Sequence, residues 1–134
     1  MAIHTLYAYV DGYDLEEVQT QILQALTTFV AGRKWSRKTT VVNERELPNS
    51  NDAPGDLPRW DLGLTHELPD RGNEVSGWFD EVEIIAVSLG ILSKNSGRQF
   101  VIGMADNGTG VTTDLLLVAT PDVDLVKLRK AVGV

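Results

Sequence analysis

The sequence predicts an α+β fold in the order β-α-β-β-α-β-β-α, a central, mostly antiparallel sheet with its helices packed mainly on one face. Three observations lead there. Two long segments carry apolar residues at helical spacing, and a pair of short alternating segments separates them. A late Asn107-Gly108 marks a hairpin between two further apolar runs. The chain has 134 residues, which suits one domain, 1–134, with one core.

The elements follow in order. Residues 3–10 are apolar, β-branched or aromatic apart from His4, as a strand requires. Its alternation sets Leu6, Ala8 and Val10 on one face and Tyr7 and Tyr9 on the other. Asp11-Gly12-Tyr13 is turn chemistry. Asp14 then reads as a helix N-cap, with Glu17 completing an approximate capping box. Leu15, Val18, Ile22, Ala25, Leu26 and Phe29 form one apolar stripe, so a helix is expected over 14–31, stopped by Gly32. The basic stretch 33–38 surrounds Trp35 and connects to a second strand at 39–46. Stacking of Trp35 on a nucleic acid base is the alternative to that connecting role.

Residues 47–58 hold three prolines and read as a long loop. A third strand is expected at 61–68, with Leu62, Leu64 and His66 on one face and Asp61, Gly63, Thr65 and Glu67 on the other. A second helix is expected at 77–94, with Ser76 as its cap and Trp78, Val82, Ile85, Leu89 and Leu92 on its stripe. Asp80, Glu81 and Glu83 crowd its first turns, where the helix dipole favours them. Strands at 99–105 and 111–119 flank the hairpin turn. The run from Leu115 to Val118 is apolar at every position, so coverage on both sides is expected. Thr120-Pro121 opens a terminal helix. The first six elements match the split β-α-β arrangement in order.

Composition narrows the function. With no cysteine, disulfides, thiolate nucleophiles and cysteine-rich zinc sites are excluded together. Only His4 and His66 offer imidazoles, and no spaced ligand cluster accompanies them, so neither a metal nor a cofactor is expected. The glycines of 103–110 lack the strand–loop–helix setting of a phosphate loop and read as hairpin geometry. No catalytic group stands out, and no enzyme activity is expected. No apolar run approaches the roughly 18 residues of a membrane span. The first residues show neither the basic start nor the apolar core of a signal peptide, so a cytoplasmic location is expected.

Charge is unevenly placed. The net charge is −7, and residues 44–83 hold eleven acids against three bases. A concentrated negative field disfavours nucleic acid and attracts basic partners. Asp52, Asp56, Asp61, Glu67, Asp70 and Glu74 are therefore the candidate partner-binding acids, with Trp60 as an aromatic anchor among them or a plug at the sheet edge.

The segments Trp60-Asp61-Leu62-Gly63-Leu64, Gly77-Trp78-Phe79-Asp80, Gly97-Arg98-Gln99-Phe100-Val101-Ile102-Gly103 and Thr113-Asp114-Leu115-Leu116 occur in this order. In that pattern the chain resembles small bacterial immunity proteins that neutralise polymorphic toxins, including those of contact-dependent growth inhibition. The resemblance covers about 60–119. It implies a cytosolic inhibitor without a catalytic centre, binding a basic cognate toxin domain such as a nuclease. The alternative expectation is a homo-oligomeric accessory or assembly module of a secretion or phage system, with strands 39–46 and 111–119 pairing across a dimer.

Overall fold

The computed structural model describes residues 4–12, 14–45, 60–70, 77–120 and 122–132. The predicted loop at 47–58, the cap at Ser76 and Pro121 lie outside them. The elements are β1 (His4–Val10), α1 (Gln19–Ala31), β2 (Thr39–Arg45), β3 (Trp60–Glu67), α2 (Trp78–Ser96), β4 (Phe100–Asp106), β5 (Thr112–Val118) and α3 (Leu125–Ala131). The predicted α+β class and element order are those observed.

The five strands form one sheet in the order β2-β3-β1-β4-β5, every neighbouring pair antiparallel. β1 sits at the centre, between β3 and β4. The strands that flank α1, β1 and β2, are separated in the sheet by β3; those that flank α2, β3 and β4, are separated by β1. This is the split β-α-β arrangement used twice, with β5 added at one edge.

Alternation divides the sheet into two faces. Leu6, Ala8 and Val10 of β1, Trp60, Leu62 and Leu64 of β3, and Phe100 and Ile102 of β4 are buried together. Ile22 and Leu26 of α1, Phe79, Val82, Ile85 and Leu89 of α2, and Leu128 of α3 close over them. Burying a side chain of this size stabilises by roughly 1.5–3 kcal/mol, so this single apolar layer supplies most of the driving force.

Three local expectations differ from the structure. Asp14 does not cap α1: a turn built on Leu15 O, accepting from Val18 N and Gln19 N, precedes the helix, which begins at Gln19. Leu15 is fully buried, and the Asp14 carboxylate pairs instead with Arg98 at 3.0 Å. α3 begins at Leu125, capped by Asp124, whose side chain accepts from Lys127 N at 2.9 Å. β5 is not covered on both sides. It is an edge strand, and Leu117 is 51% exposed.

A β-bulge lies opposite Ile102 and Gly103: Leu116 pairs with Ile102, Asp114 pairs with Gly103, and Leu115 is the extra residue. A bulge reverses the facing of every residue beyond it. Asp114 is thereby turned to the face away from the helices, the same side as Tyr7.

Two glycines separate steric from conformational need. At Gly63 an added Cβ would fall 1.8 Å from Ala8 O, a backbone atom that cannot step aside. At Gly97, which ends α2 with φ +72°, a Cβ would meet nothing within 4 Å. Gly97→Ala should cost about 1 kcal/mol, the left-handed penalty alone. Gly63→Ala should cost more, roughly 2–3 kcal/mol, because two strands must separate. Urea denaturation of both variants checks the ranking; equal midpoints would contradict the close packing of β1 and β3.

Candidate functional site

The second face of the sheet carries no helix among the described residues. Its centre is Tyr7 and Tyr9, two apart on β1, with ring centroids 5.4 Å apart and planes inclined by 29°. Tyr7 lies over Gly103, where a Cβ would meet its ring at 2.1 Å. That missing side chain is what lets the phenol lie flat and become buried. Its hydroxyl donates to Asp114 Oδ1 at 2.5 Å. Burial, and then the Asp114 carboxylate, push the Tyr7 phenol well above the ordinary tyrosine range. Tyr7 is therefore a fixed donor, and Asp114 a carboxylate anchored by it.

Around these rings is an open groove of about 480 Å³, lined by Thr5, Tyr7, Tyr9, Asp61, Thr65, Val101, Ala105, Thr112 and Asp114 with the turn at Asp11 and Gly12. Its size falls in the range of ligand-binding clefts. The register gives the face its charge. Glu44, Asp61, Glu67 and Asp114 all point to it, while the strand bases Arg45, His4 and His66 have the opposite parity. Glu44 and Asp61 are direct cross-strand partners. Like charges so placed oppose pairing by a few tenths of a kcal/mol or more.

The candidate partner-binding residues are thus divided. Asp61 and Glu67 lie on the open face of β3, with Asp61 lining the groove. Asp70 follows β3, partly exposed. Asp52, Asp56 and Glu74 lie outside the described residues. Trp60 is buried at 2% exposure, on the helix side of β3. Its indole N–H donates to Asn43 Oδ1 at 2.8 Å, and Arg45 covers the ring at 4.5 Å. Of the two roles expected for it, the structure gives the packing role, and no indole surface is left for an anchor. Tyr7, Tyr9 and Asp114 were not among the expected site residues. Two aromatics at i and i+2 on the non-core side of an apolar strand were the available signal; for Asp114 there was none, since only the bulge turns it.

A second polar cluster is buried under the α1–β2 connection. His66 is 1% exposed, and its Nδ1 hydrogen-bonds Thr39 Oγ1 at 2.7 Å. Trp35 meets its ring edge-on at 5.7 Å and donates its indole N–H to Val30 O at 2.9 Å. Glu81, also buried, accepts from Ser36 N at 3.0 Å and from the Ser36 hydroxyl in a shorter bond. The basic connection is therefore tied inward to α2 and β3, with Trp35 as its anchor. Neither described cavity is lined by His66. Among the described residues no group of three or more His, Asp or Glu is placed to hold a metal ion, and no helix is long and apolar enough to cross a membrane.

No protein-family model matches the chain, and neither a curated protein nor a solved structure matches it.

The buried imidazole makes stability depend on pH. Desolvation, helped by Arg37, holds the His66 pKa below its ordinary 6.5, while Glu81 and Glu67 oppose the shift. Above pH 6.5 neither state is protonated there and the full stability is present. As pH falls from 6.5 through the lowered folded value, the unfolded chain binds the proton first and stability is lost. The slope from this one group is at most about 1.4 kcal/mol per pH unit. Urea midpoints at about pH 7.5 and about pH 5.5 should fall for the wild type and less for His66→Gln. Parallel losses in both proteins would remove the assignment to His66.

Proposed function

We propose that this chain is a non-catalytic binding protein whose helix-free sheet face docks a basic protein partner, and specifically that it acts as a cytoplasmic immunity protein against a toxin domain such as a nuclease. The observation that carries the reading is the set of carboxylates on the open face, Glu44, Asp61, Glu67 and Asp114, with only Asp106 of the strand acids on the other side. Four strand carboxylates face the open side and no strand Lys or Arg does, among the described residues. Groups of one sign on a broad surface accelerate encounter with the opposite sign and select against partners of like charge. A nuclease domain presents that opposite sign because its substrate is a polyanion. The resemblance in residues 60–119 supports the same role, and the open face is large enough to serve as a contact patch beside or over a toxin's active site.

A second reading has its own support. β5 ends the sheet, so among the described residues no strand pairs with its outer side, and Leu117 and Val111 are exposed beside it. Exposed apolar edge strands pair with other strands. A homo-oligomeric assembly module would use β5 in this way.

Two measurements divide the readings. Sedimentation at micromolar concentration should give the mass of one chain for the immunity role; a stable dimer mass favours the assembly module. A partner recovered from the native cell should bind Glu44→Gln/Asp61→Asn/Glu67→Gln at least about tenfold more slowly at low salt, with a flatter salt dependence and circular dichroism showing the fold retained. Wild-type association kinetics in the triple variant would eliminate the acidic face as the docking surface.

A further inference from the structure

We propose that the outward face of α2 pairs with the same face of a second copy of this chain, the two helices packing antiparallel about a two-fold axis at Val87. This contact uses the side of the sheet opposite the acidic face, and it stands whether or not that face docks a toxin.

The sequence of α2 carries two stripes. One, with Phe79, Val82, Ile85, Ala86 and Leu89, is buried against the sheet. The other runs Asp80, Ile84, Val87, Ile91 and Lys94, four, three, four and three residues apart, and faces away from the sheet. That spacing is the seam along which two helices pack. Its middle is apolar and its ends carry opposite charges. Val87 is 38% exposed and Ile91 50%, on the side of a surface helix where polar residues are the rule. Asp80 and Lys94 are exposed, and neither has an ion-pair partner among the described residues. Glu83, at the edge of the stripe, is already paired with Arg129.

The neighbouring helix continues the surface. Gln21, near the start of α1, reaches Asn95 O near the end of α2, and Ser36, beyond the end of α1, reaches Glu81, so the two helices run in opposite directions. α1 has no charged residue between Gln19 and Ala31, although Thr20, Gln21, Gln24, Thr27 and Thr28 are exposed. Depletion of charge marks the centre of protein interfaces. Between the helices an apolar groove of about 160 Å³, lined by Ala25, Phe29, Leu89, Ile91 and Leu92, extends the apolar area beyond the seam.

The occupant is a second copy because the stripe is complementary to itself. A two-fold contact sets each position against its counterpart across the axis. With the axis at Val87, Val87 meets Val87, Ile84 meets the second copy's Ile91, and Asp80 meets the second copy's Lys94, each of these twice. Parallel packing would set Asp80 against Asp80 and Lys94 against Lys94. Antiparallel packing also aligns the helix dipoles favourably. The seam is short, so the dissociation constant is on the order of 0.1–1 mM, and the chain is a single copy at micromolar concentration.

The test is sedimentation equilibrium of the intact chain from about 10 µM to about 2 mM, a range that brackets this affinity. The wild type should pass from the mass of one chain toward that of two. Asp80→Lys and Lys94→Glu should each weaken pairing at least about tenfold, because two attractive contacts become two repulsive ones, while circular dichroism shows the fold retained. An equimolar mixture of these two variants should pair again, since each substituted side chain then faces an opposite charge on the other variant. Glu44→Gln/Asp61→Asn/Glu67→Gln should self-associate at least as well as the wild type, so a failure of the acidic face and a failure of the seam are read separately. The mass of one chain throughout, a dimer that neither charge variant disturbs, or two variants that do not pair on mixing would each overturn the antiparallel α2 contact.

Discussion

The strand β1 is hydrogen-bonded along both of its sides, and its alternation therefore dictates the facing of every strand around it. Leu6, Ala8 and Val10 can satisfy their apolar surface only if helices cover that side. Once they do, the partners across β3 and β4 are bound to the same division by register. Trp60 and His66 are carried inward by it although each bears polar atoms. The neighbouring strand β2 supplies what those atoms need, Asn43 for the indole and Thr39 for the imidazole. No buried side-chain polar atom among the described residues is left without a partner. Tyr7 and Tyr9 are carried outward by the same parity, and they become the floor of the groove.

Period-two alternation was enough to read β1 and β3 correctly from the sequence, including the inward set Leu62, Leu64 and His66 and the outward set Asp61, Gly63, Thr65 and Glu67. Helical spacing likewise located α1 and α2. The failures are places where a distant contact overrules a local pattern. Asp14 and Glu17 form a plausible capping box, but Arg98, far along the chain, takes the Asp14 carboxylate and its backbone carbonyl. The run Leu115–Val118 is apolar on both faces, which is equally the pattern of a covered central strand and of an edge strand with a bulge. Only the register with β4 separates the two. The candidate site was half legible for the same reason: Asp61 and Glu67 followed from parity, whereas Asp114 is on the open face only because parity is broken.

Charge is sorted by the same geometry. Arg45 lies over Trp60 and pairs with Glu16 at 2.6 Å. Arg129 lies over Phe79 and pairs with Glu83 at 3.3 Å, clamping α3 to α2. Arg98 ties the entry of α1 to the start of β4. These arginines cover aromatic rings or link elements at the helix side and at the strand ends, positions where their stems bury apolar area while the charge stays wet. Each such exposed pair contributes little by itself. Their collective effect is one of placement, since a base used to cover the core cannot also offset the carboxylates of the opposite face.

The bulge in β5 connects stability to recognition. A regular β5 would keep an unbroken ladder with β4 and would point Asp114 toward the helices, where a carboxylate without a partner costs several kcal/mol. Breaking the ladder at Leu115 avoids that burial, and it brings the carboxylate within 2.5 Å of the Tyr7 hydroxyl. Leu117, in regular register with Val101 beyond the bulge, is exposed on the same open face. An edge strand that is bulged pairs poorly with a second strand, because its donors and acceptors no longer run in step. One irregularity therefore builds the acidic flank of the groove and, at the same time, disfavours the edge-to-edge association that a long apolar β5 would otherwise invite.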